Sequence, residues 1–223
     1  MNKNMPPPAN NTALEDDLKR TAILEVAREV FLERGYSFAG MAEIAVAASV
    51  STATLYKAFG SKEELFIEVI RDLYTRIQVE TESAMVETGL PMDEEMLVLI
   101  VSVGGVLVRY ESTRLLRMVA SEADYLPADA RTIMREGAQH RFRLIARYLD
   151  RKIAEGLLIP HDTYLMARMF MGINREMFAW PEFMNPDFTL PETTLDRLRE
   201  ALHLYLAGYR ADPSAYRLSA KKA

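Results

Sequence analysis

The 223-residue sequence contains no cysteine, which excludes a disulfide framework and any thiolate metal site. Its three histidines, His140, His161 and His203, are well separated, so no zinc centre is expected and no metal or cofactor is assigned. No run of about 18 apolar residues is available for a membrane span. The N-terminal stretch MNKNMPPPANNTALEDD lacks the apolar core of a signal peptide. The chain therefore reads as a soluble, cytoplasmic protein. Also missing are a glycine-rich phosphate loop, a nucleophile elbow and a His-Glu metal pair, so nothing points to an enzyme. Alternating apolar segments long enough for a sheet are absent too, which leaves an all-α fold.

Basic charge is scarce. The net charge is −5, mildly unfavourable for a nucleic-acid binder. Its distribution matters more. Over residues 1–62 seven basic side chains (Lys3, Lys19, Arg20, Arg28, Arg34, Lys57, Lys62) face seven acidic ones (Glu15, Asp16, Asp17, Glu25, Glu29, Glu33, Glu43), whereas Ile44 to Lys62 holds two lysines and no acid. One such segment would bind phosphates weakly, and two copies would serve better.

Helical spacing organises the rest. Residues 1–13 are polar and proline-rich, and are expected to be a disordered arm. Ile23, Ala27, Val30 and Phe31 mark a helix ending at Gly35, placed for a left-handed stop. Short helices follow, one carrying Met41, Ile44, Ala45 and Ala48, the next Leu55 and Phe59. Ser61-Lys62-Glu63-Glu64 reads as a capping box opening a longer helix with Leu65, Phe66, Val69 and Leu73 inward. The predicted division is a helix-turn-helix domain over 14–62, a connecting helix over 63–84, a helical-bundle regulatory and dimerisation domain over 85–211 and a tail over 212–223. Within the bundle, helices are expected near 93–110, 112–123, 127–156, 161–180 and 192–210, with WPEFMNPDFTLPE (180–192) as a loop.

The stretch IAVAASVSTATLYKAFGSKEELF (44–66) carries the chemistry. A helix-turn-helix holds its second helix at a fixed angle so that it can lie in the major groove. Ala45 and Ala48 allow close approach, Val50 is an apolar plug in the turn, and Ser51 can N-cap the second helix. The exposed face then offers Ser51, Thr52, Ala53, Thr54, Tyr56 and Lys57, with Lys62 at the next helix start. Hydroxyls and methyls suit base edges, and Tyr and Lys suit phosphates. These seven are the candidate contacts to double-stranded DNA.

The residues Ile23, Ala27, Phe31, Gly35-Tyr36, Ile44-Ala45, Val50-Ser51, Thr54-Leu55-Tyr56, Phe59 and Ser61 to Phe66 resemble the DNA-binding domain of the tetracycline-repressor (TetR) family of bacterial transcriptional regulators. LLRMVASEADYLP (115–127) resembles the AefR-like regulatory domains of that family. Three positions depart from the family pattern. Ala39-Gly40 replace a hydroxyl cap, for which Ser37 could substitute. Ser49 stands where the turn usually has Gly, at about 1 kcal/mol if φ is positive there. Ala58 removes a possible phosphate contact. The resemblance implies a repressor that binds a palindromic operator as a homodimer and is released by a small apolar or aromatic effector.

In the C-terminal half Leu195, Leu198, Leu202, Tyr205 and Tyr209 form a seam on one helix face. It is read as the dimer interface, with Leu165, Met169, Ile173 and Met177 as partner stripe; the same seam could instead pack within its own subunit. Gly104-Gly105 inside a strong helix calls for a kink, a close crossing or ligand space. Tyr110, Arg114, Met118, Phe170, Asn174 and Phe178 mix polar with apolar groups and are the candidate effector contacts. The competing reading is a helical interaction or sensor protein that keeps this fold but binds DNA weakly or not at all.

Overall fold

The computed structural model describes residues 10–85, 88–109, 112–185 and 187–211. Its helices are α1 (Asn10–Arg34), α2 (Met41–Ala47), α3 (Thr52–Phe59), α4 (Lys62–Ala84), α5 (Met92–Arg109), α6 (Ser112–Glu122), α7 (Ala128–Ala154), α8 (Thr163–Asn174), a π-helical turn (Arg175–Ala179), α9 (Trp180–Met184) and α10 (Thr194–Ala207). Among the described residues the only strand-like pairing is an isolated bridge between Leu158 and Arg210. The all-α expectation holds. Two boundaries differ from it. Residues 10–13, assigned to the arm, already belong to α1. The predicted loop at 180–192 opens as α9, which continues from α8 through the π-helical turn without a break and carries Pro181 near its start. The tail over 212–223 lies outside the described residues.

The chain divides into two units. The first combines the residues up to Tyr74 with Met118–Met134; the second combines Thr75–Arg117 with the residues from Arg135 onward. The split therefore falls inside α4 rather than at its ends, and the segment around the α6–α7 turn joins the first unit. Packing explains the first part of this. The opening half of α4 buries Leu65, Phe66, Val69, Ile70 and Leu73. The Phe66 ring meets Phe31 edge-on at 5.0 Å and Tyr36 at 4.8 Å. With Ile23, Ala27, Ile44, Leu55 and Phe59, also buried, these residues make one small core.

The core of the second unit draws on α5, α7, α8 and α10, with Met96, Ile100, Ile145, Leu149, Met166, Phe170 and Leu198 at its centre. The glycine pair on α5 resolves here. A methyl at Gly104 would lie 2.7 Å from the Phe178 ring, whereas nothing stands within 4 Å of Gly105. Gly104 therefore serves a close crossing with the π-helical turn, and no equivalent reason applies to Gly105.

One polar cluster is buried in this unit. Glu95 accepts from the Tyr148 hydroxyl at 2.8 Å and pairs with Lys152 at 2.9 Å, while the backbone N–H of Thr88 completes its shell at 3.1 Å. Lys152 also reaches Glu155 at 3.1 Å. Burial alone would raise the Glu95 carboxyl, but the hydrogen bonds from Lys152, Tyr148 and Thr88 outweigh it and hold the group below its usual value. Burial likewise opposes the Lys152 charge, and its bonds to Glu95 and Glu155 carry it above the usual lysine value.

Because the Glu95 carboxyl is depressed in the folded state, its stabilisation is present above the ordinary carboxylate value and is lost as the pH falls through the folded one. Urea melts across the acid range should therefore show a shallower loss for Glu95→Gln than for the wild type. Lys152→Met should cost about 3 kcal/mol at neutral pH, because it strands a buried carboxylate. A cost near zero, with an unchanged acid profile in Glu95→Gln, would remove the cluster from the account of stability.

Candidate nucleic-acid interface

The turn between α2 and α3 is a Schellman motif. The N–H of Val50 donates to the carbonyl of Ala45 at 2.9 Å, and the N–H of Ser49 to that of Val46 at 3.1 Å. That pattern requires a left-handed residue at Ser49, whose φ is 56°. Ser49 is the one non-glycine among the described residues with positive φ. The expectation of a strained serine is met, and its cause is the helix stop itself.

Ser51 then caps α3: its Oγ accepts from the N–H of Thr54 at 3.0 Å and shares a hydrogen bond with the Thr54 hydroxyl at 2.7 Å. Both hydroxyls are thus engaged locally. Leu55 and Phe59 are buried on the inner face of α3. Thr52, Ala53, Tyr56 and Lys57 are exposed. At 3.6 residues per turn their offsets of 0, 1, 4 and 5 gather them on one exposed side that flanks the buried Leu55–Phe59 line. This is the geometry of a reading helix: one side fastened to the protein and the other presented outward.

Lys62 is held elsewhere. Its Nζ donates to the carbonyls of Tyr36 (3.0 Å) and Ser37 (3.2 Å) and lies 4.8 Å from the centre of the Tyr36 ring. A phosphate contact would have to share or displace these bonds. Two capping expectations need correction. The Ser61 hydroxyl does accept from the N–H of Glu64 at 3.1 Å, but the Ser61 N–H donates to Phe59 at 2.8 Å, so the reciprocal half of the box is not made. Ser37 does not cap α2. Gly40 occupies that position without a side-chain bond, and Ser37 instead gives its N–H (2.8 Å) and hydroxyl (3.0 Å) to Glu122.

Two positions that hold this unit together escaped the sequence reading. Glu122 grips the α1–α2 loop at Ser37 from 85 residues away. Arg20 on α1 joins Ala58 at the end of α3 to Glu68 on α4. Neither has a local spacing that could announce it.

In the second unit the proposed dimer seam turns inward. Leu198, Leu202 and Tyr205 are buried within the chain, and the Tyr205 hydroxyl donates to the carbonyl of Met166 at 2.8 Å. These three side chains pack within their own subunit, the alternative open to this seam. Tyr209 is half-buried, and Leu195 alone of the five is exposed. The expected partner stripe is partly open: Leu165 and Met169 are about half exposed, with Ile173 and Met177 partly covered. Leu204, 69% exposed, lies on the outer side of α10.

Of the effector candidates, Phe170, Asn174 and Phe178 are buried in the second unit's core and Arg114 is half-buried. Met118 is buried in the first unit. Tyr110 lies outside the described residues. Asn174 donates to the carbonyl of Ile100 at 2.9 Å, while its Oδ1 is buried without a hydrogen-bond partner, a cost of about 1–3 kcal/mol. A cavity of about 600 Å³ opens elsewhere, beside Asp93, Glu95, Lys152 and Arg210. Its rim is tied by the Glu95–Lys152 and Asp93–Arg210 ion pairs.

A two-turn helix fastened at its cap and inner face behind a Schellman turn defines a helix-turn-helix protein of the DNA-binding type. Comparison with known proteins agrees. Residues 23–69 match the family of bacterial regulatory proteins of the tetR type, and residues 94–211 match the C-terminal domain of AefR-like transcriptional repressors. The chain belongs to the TetR family of transcriptional regulators. It is 48% identical over 58 residues to the transcriptional activator FasR of Mycolicibacterium smegmatis, a match spanning 26% of each protein. It is 28% identical to the regulator YhgD of Bacillus subtilis across 73% of this chain and 84% of that one. In structure it is similar to a TetR-family regulator from Mesorhizobium loti (TM-score 0.73, 25% identity, 87% of this chain and 98% of that one). The flavonoid-responsive regulator FrrA gives a TM-score of 0.70 at 25% identity, with the same coverage. The matched families are regulators rather than enzymes.

The strain at Ser49 is directly measurable. Ser49→Gly should stabilise the chain by roughly 0.5–1 kcal/mol, since glycine adopts the left-handed conformation without the side-chain clash. A thermal melt should rise by a few degrees. An unchanged or lowered midpoint would mean that the turn carries no such strain.

Proposed function

We propose that this regulator is a repressor that binds a palindromic operator as a homodimer and lets go when a small apolar or aromatic effector enters its second unit. The observation that carries the DNA reading is the outward side of α3, where Thr52, Ala53, Tyr56 and Lys57 are exposed while Leu55 and Phe59 are buried. Hydroxyl, methyl and phenol at that face suit base edges and backbone, and Lys57 supplies phosphate charge. The match to AefR-like repressors over 94–211 supports repression rather than activation. Two subunits compensate for the scarcity of basic charge in one, since phosphate neutralisation supplies much of the affinity.

The dimer surface proposed here is the exposed stripe Leu165–Met169 on α8 with Leu204 on α10. The effector reading draws support from Asn174. Its buried, unpartnered Oδ1 sits directly before a π-helical turn, a feature that concentrates at functional sites. A donor-bearing ligand would satisfy it. FrrA, similar in fold, is flavonoid-responsive, which fits an aromatic effector. By shifting the separation of two recognition helices, such a ligand would remove the advantage of binding both half-sites at once. The alternative of a sensor that has lost DNA binding draws on the commitment of Lys62 to the loop carbonyls.

On a duplex selected from a random pool, Lys57→Ala should weaken binding and reduce the slope of log affinity against log salt by about two, one phosphate per subunit. Tyr56→Phe should weaken binding with less change in slope. Wild-type affinity in both variants would favour the sensor reading. For the dimer, Leu165→Glu with Met169→Glu should give a folded monomer in sedimentation equilibrium. Leu202→Glu should instead unfold the second unit, because that side chain is core. A surface double variant that remains dimeric would place the interface elsewhere.

A further inference from the structure

We propose that Arg20 is a positioning residue for DNA reading, fixing the angle at which α3 is presented to the groove; this rests on the DNA-binding reading above. α3 has eight residues, too few to hold its own geometry in isolation. Its N-terminal end is set by the Ser51 cap and the Schellman turn, and its inner side by Leu55 and Phe59. The C-terminal end is where the chain reverses at Gly60, and there one side chain from another helix takes hold.

Arg20 makes three contacts at that end. Its Nη1 donates to the carbonyl of Ala58 at 3.0 Å. Its Nη2 donates to the Glu68 carboxylate on α4. Its guanidinium carbon lies 4.3 Å from the centre of the Phe59 ring. Ala58 belongs to the last turn of α3, whose carbonyls lack partners within the helix and form its negative end. The cation is therefore placed to satisfy the helix end, while Glu68 ties it to the helix behind. Phe59, the last residue of α3 and a core side chain, is clamped by the same group. A planar guanidinium with several donors can do all three at once, whereas a lysine ammonium could keep only part of the arrangement.

This arrangement separates two roles a basic residue near DNA can have. The Arg20 charge is already matched by Glu68, so it is not the charge that phosphates meet. Its removal should leave non-specific, salt-driven binding intact and damage discrimination, which depends on where base-reading side chains point.

The experiment uses the full chain as wild type, Arg20→Gln, Arg20→Lys, Glu68→Gln and the double variant Arg20→Gln/Glu68→Gln. Affinity is measured for a duplex selected by the wild type from a random pool and for a scrambled duplex of equal length, over roughly 50–200 mM salt, with a thermal melt of each variant. In Arg20→Gln the ratio of selected to scrambled affinity should fall roughly 10- to 100-fold, the scale of losing good base contacts, with an unchanged salt slope. Arg20→Lys should recover little. Glu68→Gln, which leaves the α1 and α3 side of the clamp in place, should lose several-fold and keeps the test open if Arg20→Gln fails to fold. The double variant should be no worse than the Arg20 single. A salt slope lowered by about one per subunit would make Arg20 a plain phosphate contact and overturn the inference. So would full discrimination in a folded Arg20→Gln, or additive losses in the double variant. A wild type that cannot distinguish the two duplexes would overturn the DNA-binding reading itself.

Discussion

A helix of two turns cannot fix its own direction, and the first unit is organised around that constraint. α3 is eight residues long; in water such a segment would be largely unfolded. Everything that makes it a usable reading element is supplied from outside. Leu55 and Phe59 anchor its inner face, Ser51 closes its first turn, the Ala45–Val50 bond sets its approach to α2, and Arg20 holds its end. The exposed Thr52, Ala53, Tyr56 and Lys57 can act as a set only because the buried side of the helix is fixed.

Much of this was legible in the sequence, and the reason is distance along the chain. The Ser51 cap, the Ser61 cap and the buried pair Leu55 and Phe59 are interactions within four residues, where residue type and spacing determine geometry. Ser49 belongs with them, because a helix stop demands a left-handed residue whatever amino acid stands there. Arg20 and Glu122 were illegible because their partners lie 38 and 85 residues away. The partners of Lys62 are illegible for the same reason: the site at a helix start suggests an anion, and the two carbonyls that its ammonium meets belong to a distant loop.

The second unit shows the limit of periodicity more sharply. A 3-4-3-4 stripe shows that one helix face is apolar, not which chain covers it. On α10 the stripe is covered by its own subunit, with Tyr205 bonded to Met166. On α8 the face carrying Leu165 and Met169 stays open. Phe170, Asn174 and Phe178 illustrate a related ambiguity. Their mixture of aromatic and amide groups suits a ligand site and equally a packed core, and the chain buries all three, with Phe178 packed against Gly104. The unpaired Asn174 oxygen is what keeps a ligand role in view.

The central claim is that two rigidly held copies of α3 read one operator together. The most direct measurement is selection of bound duplexes from a random pool, followed by backbone footprinting of the enriched sequence. The account predicts a two-fold symmetric sequence, with half-site centres separated by about one helical turn of DNA, roughly 34 Å, or a multiple of it. Protection should fall on the backbone flanking the major groove of each half-site. Recovery of no enriched sequence, with binding governed by salt alone, would contradict it.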